Sequence, residues 1–312
     1  MGQYLTGRNL ARDASFVYDL SIMKKAALLL VALVACGASA HAISADSLEY
    51  GIVTLRLEYM VSFYGPAGSA NLIVKLPSTI QGRQQILRTS CSIEPFAVFM
   101  RDGERYARFM IQRDPAQDDR ATLDIVITAR LLNQYGPLPG SIDGRYFDKE
   151  PYIECYDEGI QRTARGFMAT KPLGVAYEAY GYVRAALRYD LQAGLRSARE
   201  ALDAGVGDCS EFAEVFVALM RARRCPARFI YGIALGSVPT FHDTAEVLTR
   251  DWGWIRVEPI AVDPDGFLPI YNEFVVFSLK RMDGILDASE FYRLVNRLDS
   301  WQFVDASIEY LQ

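Results

Sequence analysis

Cys209 and His242 are the two residues of this chain whose types and positions fit nucleophilic chemistry. Cys209 lies in GVGDCSEFAEVFVALMRARRCPAR, residues 205–228. Asp208 is a good N-cap, and Glu211, three residues on, completes a capping box. A helix is therefore predicted to start at Cys209. Phe212, Val215, Phe216, Leu219 and Met220 recur at helical spacing and give it one apolar face. Arg221, Arg223 and Arg224 crowd its last turn, and Pro226 stops it. A sulfur at the positive end of a helix is expected to have a lowered pKa, and the thiolate is the nucleophile.

The sequence has two histidines, His41 and His242. His41 falls in an N-terminal leader, so His242 is the one base available to Cys209. Two short strands are predicted around Arg250-Asp251-Trp252-Gly253. If they pair antiparallel, Leu248 faces Trp254 and Thr244 faces Glu258. His242, two residues from Thr244, then shares a face with Glu258 as its diagonal neighbour, about 7–8 Å away between backbones. A glutamate side chain spans that gap and can accept a hydrogen bond from the imidazole, the orienting role in a triad. The histidine count excludes a His-rich zinc site, and Cys209 and Cys225 lack Cys-x-x-Cys spacing, so no metal or organic cofactor is expected. Taken singly, each residue has a blander reading. A cysteine at a helix start usually packs, a strand histidine is usually a satisfied polar group, and Glu258 before Pro259 can simply end a strand. The joint order and spacing carry the chemical reading.

The elements that must hold these residues change character along the chain. Residues 43–132 read as β. Val53, Leu55, Leu57, Tyr59, Val61 and Phe63 alternate with more polar neighbours, as do Leu72, Val74 and Leu76, and Leu123 to Leu131. Phe96–Met100 and Tyr106–Ile111 flank a hairpin signal at 101–104. Short strands with turns between them predict an antiparallel β-sandwich over 43–140. Glycines and prolines at 136–151 mark a boundary, and 145–312 is expected to be a second, α+β domain. Its predicted helices span 153–168, 175–189, 195–204, 209–225 and 288–298. Its predicted strands span 228–235, 244–249, 254–258 and 273–278.

The amino terminus reads as a targeting segment. From Met23, Lys24 and Lys25 precede an apolar run from Ala26 to Ala35 and a small-residue site at Ala40-His41-Ala42, the pattern of a secretory signal peptide over 23–42. Residues 1–22 are expected to be an upstream extension outside the native protein, the alternative being a long n-region. Leu33-Val34-Ala35-Cys36 also resembles a bacterial lipobox, whose use would make Cys36 a lipidated first residue. Beyond the leader no apolar run is long enough to span a membrane. Export would permit a disulfide, and Cys91–Cys155 is the pairing considered. Cys225 is expected to pack as a small apolar residue. With 33 basic and 38 acidic residues, a net charge of −5 and no basic patch beyond the helix end, no nucleic-acid partner is expected.

GDCSEFA…LMRARRCPARFIYG resembles the nucleophile motif of the transglutaminase-like superfamily. HDTAEV resembles its histidine motif, and WGWIRVEP its aromatic-turn and acidic-Pro motif. The Tyr182–Asp190 segment is similar to the helix that precedes the nucleophile. The resemblance covers about 145–260 and implies a papain-like core with a Cys-His-Asp triad, carried here by Cys209, His242 and Glu258. A β domain often precedes this core in bacterial members. The implied activity is acyl transfer from peptide or isopeptide amides, hydrolytic in a periplasmic or secreted protein. Protein cross-linking, and a non-catalytic envelope module with a decayed triad, are the alternatives. The implied partner is a peptide or protein substrate. Two departures stand out. The third residue is Glu where the family usually has Asp, with Asp263 as second choice. Asp243 follows His242, where its charge is expected to bear on the imidazole.

Overall fold

Alternating apolar residues place the first half of the chain in two antiparallel sheets. The computed structural model describes residues 49–311 except 64–67, 114–115, 117–118, 133–141, 192–194, 237, 262–266, 269–272, 283–284, 287–291 and 296–301. Strands β1 (Glu49–Phe63), β2 (Ser69–Leu76), β3 (Gln84–Cys91), β4 (Ala97–Arg101), β5 (Glu104–Gln112) and β6 (Arg120–Leu132) come first. The side chains of Leu55, Leu57, Tyr59, Val61 and Phe63 on β1 and of Leu123, Ile125 and Ile127 on β6 are buried together with Leu72 and Val74 of β2 and Phe109 of β5. This is the core of a sandwich, and the period-two pattern that builds it is the one visible in sequence. The β4–β5 hairpin turns at Asp102 and Gly103, both at positive φ (51° and 85°), as a two-residue primed turn requires.

The second half is helical, then β. It comprises α1 (Glu158–Arg165), α2 (Pro172–Ala186), β7 (Arg188–Tyr189), α3 (Ala198–Ala204), β8 (Val206–Gly207), α4 (Cys209–Ala222), β9 (Ala227–Leu235), β10 (Pro239–Thr249), β11 (Gly253–Val257), β12 (Phe274–Ser278), β13 (Tyr292–Val295) and β14 (Gln302–Tyr310). The architecture is α+β, with a β-rich N-terminal region preceding the core. The core sheet runs β11-β10-β9-β12, all antiparallel. Helix α4 packs on β9 and β10 and is ringed by α1, α2 and α3, so every residue from Ser210 to Arg221 is buried. Sequence periodicity predicted a single apolar face. The polar residues on its other side are buried as well, each with a carboxylate, guanidinium or backbone partner.

Several expectations differ from the structure. The first helix is shorter than 153–168 because Asp157 caps it, accepting from the N–H groups of Gly159 and Ile160. Pro172 opens α2 instead of breaking it, a position where the missing N–H costs nothing. The helix expected over 288–298 is a strand at 292–295, and the rest of that span lies outside the described residues. The division into 43–140 and 145–312 is crossed twice. β13 pairs with β2 and β14 with β1, giving sheets β13-β2-β5-β4 and β14-β1-β6-β3. β3 had no counterpart among the predicted strands. Cys91 and Cys155 are free thiols rather than a disulfide, as are Cys209 and Cys225. The leader, the upstream extension and Cys36 lie outside the described residues. Among the described residues no helix is long and apolar enough to cross a membrane.

Candidate active site

The start of α4 is held by an interlocking set of contacts. Asp208 accepts from the Ser210 N–H at 2.8 Å, and Glu211 accepts from the Asp208 N–H at 2.8 Å and from the Arg196 N–H at 3.2 Å. The capping box is formed as the sequence predicts. Gly207 is required by close approach, since a Cβ there would lie 2.5 Å from Glu211 Cβ. The parallel pair β7–β8 ties Tyr189 to Gly207 just ahead of the cap. Cys209, half-buried, is thereby fixed at the first helical position.

His242 is delivered by β10. Leu248 pairs with Trp254 and Ala245 with Val257, the register argued from sequence, and Glu258 follows directly. His242 Nε2 lies 2.9 Å from Glu258 Oε2. The side chains of Cys209 and His242 are close enough to hydrogen-bond, and the Asp243 backbone N–H also donates toward the Cys209 sulfur. With Nε2 committed to Glu258, Nδ1 is the nitrogen left for the sulfur. The structure therefore brings together all three residues singled out by spacing. Asp263 lies outside the described residues.

The electrostatics differ from the helix-dipole expectation. Burial pushes the Cys209 thiol up, and the hydrogen bond with His242 only partly opposes it. Burial alone would pull His242 down. Its hydrogen bonds to Cys209 and Glu258, with the charges of both, outweigh burial and push it up to about 10. The imidazole is thus held as a cation between two acidic groups. That arrangement can stabilise a thiolate and deliver a proton to a leaving group.

Sequence reasoning missed four features. Tyr189, 45 % exposed, has its phenol raised by burial and by the charges of Cys209, Asp208 and Glu258. The Phe274 ring of β12 stands 6.3 Å from the imidazole. Asp243 is buried and accepts from Ser210 Oγ at 2.5 Å. Its charge was expected to bear on His242, but the rise there comes from Cys209 and Glu258. Arg281 and Glu214 form a buried ion pair beneath α4. Tyr189 lay within the segment matched to a family motif. The other features arise from tertiary contacts without a local pattern. Among the described residues no cluster of His, Cys, Asp and Glu could hold a metal ion.

A cysteine thus heads a buried helix, and a carboxylate-bound histidine sits on an antiparallel strand packed against that helix, on an α+β frame. Residues 161–259 match the model of the transglutaminase-like superfamily core. No curated protein matches the chain. Among solved structures, a candidate cysteine protease from Cytophaga hutchinsonii shares the fold, at 16% identity and a TM-score of 0.57, covering 85% of this chain and 92% of that one. The periplasmic domain of TgpA from Pseudomonas aeruginosa is also similar, at 14% identity and a TM-score of 0.36, covering 65% and 87%.

Proposed function

We propose that the protein is a cysteine-dependent acyl-transfer enzyme acting on peptide or isopeptide amides, with Cys209 as nucleophile, His242 as acid and base, and Glu258 as the residue that orients the imidazole. The observation that carries this is the 2.9 Å contact between His242 and Glu258 beside the Cys209 thiol. The longer glutamate reaches the ring, so the usual aspartate is not needed for the contact. The sulfur attacks the amide carbonyl as the thiolate, forming the acyl–sulfur bond, and the C–N bond breaks as the imidazolium protonates the leaving amine. The neutral imidazole then takes a proton from water, whose oxygen displaces the thiolate and releases the acid. The Cys209 backbone N–H would meet the developing oxyanion, since the Ser210 N–H is taken by Asp208. Water as acceptor makes the enzyme a peptidase, the reading we adopt. Export through the 23–42 leader to the periplasm or exterior belongs to the same proposal.

Iodoacetamide alkylation of Cys209, followed by peptide mapping, tests the reading. The wild-type thiol, whose thiolate the His242 imidazolium favours against burial, is expected to react faster near pH 6 than the same thiol without that partner. The His242→Ala variant is expected to lose that advantage. Slow labelling identical in the two proteins would support a non-catalytic module instead. Release of free acid against incorporation of an added amine, read on a peptide library, separates hydrolysis from cross-linking.

A further inference from the structure

Behind Cys209 and His242 lies a buried polar cluster that the acyl-transfer chemistry does not itself use. Ser210 follows Cys209 on α4, and Asp243 follows His242 on β10. The Ser210 hydroxyl donates to Asp243 Oδ2 at 2.5 Å, and both side chains are buried. Neighbouring strand residues point to opposite faces. Asp243 therefore grips α4 from one side of β10 while His242 faces Glu258 on the other. The Asp243 backbone N–H is also turned toward the Cys209 sulfur. Arg281, just after β12, is fully buried. Its guanidinium is ion-paired with Glu214 of α4 and lies 3.9 Å from Asp243, near the rings of Tyr152 (5.4 Å) and Phe229 (5.1 Å).

We propose that Ser210, Asp243, Arg281 and Glu214 are positioning residues, a buried chain of contacts that sets the separation and orientation of the Cys209 thiol and the His242 imidazole. The proposal rests on the acyl-transfer reading of that pair. The residues immediately after the two reacting residues are bonded to each other, so α4 and β10 cannot slide at the site without breaking a charge-assisted hydrogen bond. The capping box makes the start of α4 rigid, and what anchors Ser210 therefore anchors the sulfur. Arg281 supplies the positive charge that lets Asp243 act as a carboxylate acceptor amid the acidic Glu211 and Glu214, with Tyr231 of β9 and the His242 imidazole as the other titratable neighbours. Burial holds Glu214 well above the usual carboxylate range, and the charges of Glu211 and Asp243 add to this against Arg281.

The test is the pH profile of iodoacetamide alkylation at Cys209, from about pH 5 to about pH 10, which brackets the ordinary pKa values of both groups. It compares wild type with His242→Ala, Ser210→Ala, Ser210→Thr and Asp243→Asn, each checked by thermal melting. Ser210→Ala and Asp243→Asn are expected to lower the His242-dependent rate near pH 6 by about tenfold to a hundredfold, the scale of an ångström's misplacement. The rate at the alkaline end, where ionisation depends least on the imidazolium, is expected to stay. Ser210→Thr, which keeps the hydroxyl, is expected to recover the acid limb. A folded Ser210→Ala variant whose profile superimposes on wild type overturns the proposal. If Asp243→Asn does not fold, the Ser210 pair decides alone. A wild-type profile with no His242-dependent limb overturns the acyl-transfer reading itself, and the proposal with it.

Discussion

Replacing Glu258 by Gln isolates one charge at the centre of the site. Gln keeps the shape and an acceptor oxygen for the His242 ring and removes only the carboxylate. In the intact protein the imidazole rises from 6.5 to about 10 against the opposing effect of burial. At about 1.4 kcal/mol per pKa unit this corresponds to about 5 kcal/mol in favour of the charged ring. The side chains of His242 and Glu258 are only 15% and 21% exposed, so solvent screens the pair little. A single opposite charge at this range moves a pKa by about 1–3 units, so Glu258 accounts for about 1.4–4 kcal/mol of the total. Cys209 supplies the rest and, with Glu258, also offsets the opposing effect of burial. The variant is therefore expected to titrate His242 at about 7–9. Proton–nitrogen correlation NMR of the imidazole against pH reads this directly, with a His41→Gln background removing the other histidine. A wild-type imidazole titrating near 6.5, or one with the same pKa in both proteins, would refute the reasoning.

Three further outcomes follow from the same structure. Because the folded pKa of His242 is raised, its contribution to stability is complete below about pH 6.5 and is lost as pH climbs to about 10. Urea midpoints measured across that window should fall in wild type and stay flatter in His242→Ala. Glu246 is buried between Arg228 (2.7 Å) and Arg83 (3.1 Å), and these guanidiniums hold it below the ordinary carboxylate range although burial pushes the other way. Glu246→Gln leaves two buried cations short of a counter-charge and is expected to cost about 3–5 kcal/mol in urea unfolding. Gly207→Ala forces its methyl against Glu211 and is expected to cost about 1–3 kcal/mol, read as a lower melting temperature.

The parts of the molecule visible in sequence are those set by neighbours along the chain. Asp208 and Glu211 are three residues apart, and the cap they form is a local event. The β10–β11 hairpin fixes its own register through Leu248 and Trp254, which is why Glu258 could be placed beside His242 on paper. The thiol's environment was not legible in this way. Helix polarity is a local property and favours a lowered pKa. Burial is a tertiary one and prevails at Cys209. The cluster of Ser210, Asp243, Glu214 and Arg281 was invisible for the same reason, because its members are up to 71 residues apart and follow no period. Tyr292–Val295 lies within the span 288–298, expected to be helix. Its pairing with Leu72 and Val74 across two hundred residues decides otherwise.

Those long-range contacts also determine what can be removed. Arg83 reaches the Trp254 carbonyl and Glu246, and Gln84 bonds both the N–H and the C=O of Val276 on β12, each at 2.8 Å. The turn before β3 thus meets the face of the core sheet that α4 leaves open. Arg281 then returns from β12 to the underside of α4. A chain ending at 260 would retain Cys209, His242 and Glu258 but lose β12, Arg281 and the strands that complete both sandwich sheets. Withdrawing the guanidinium alone leaves Glu214 and Asp243 buried without their cation, a cost of about 3–5 kcal/mol. That is a large part of the roughly 5–15 kcal/mol that holds a typical domain together. The truncated protein is therefore expected to be cut rapidly by trypsin and to alkylate Cys209 like an exposed thiol. A truncated protein that resists the protease and keeps the wild-type alkylation profile would show that the motif-bearing segment folds without the strands that return from the C-terminus.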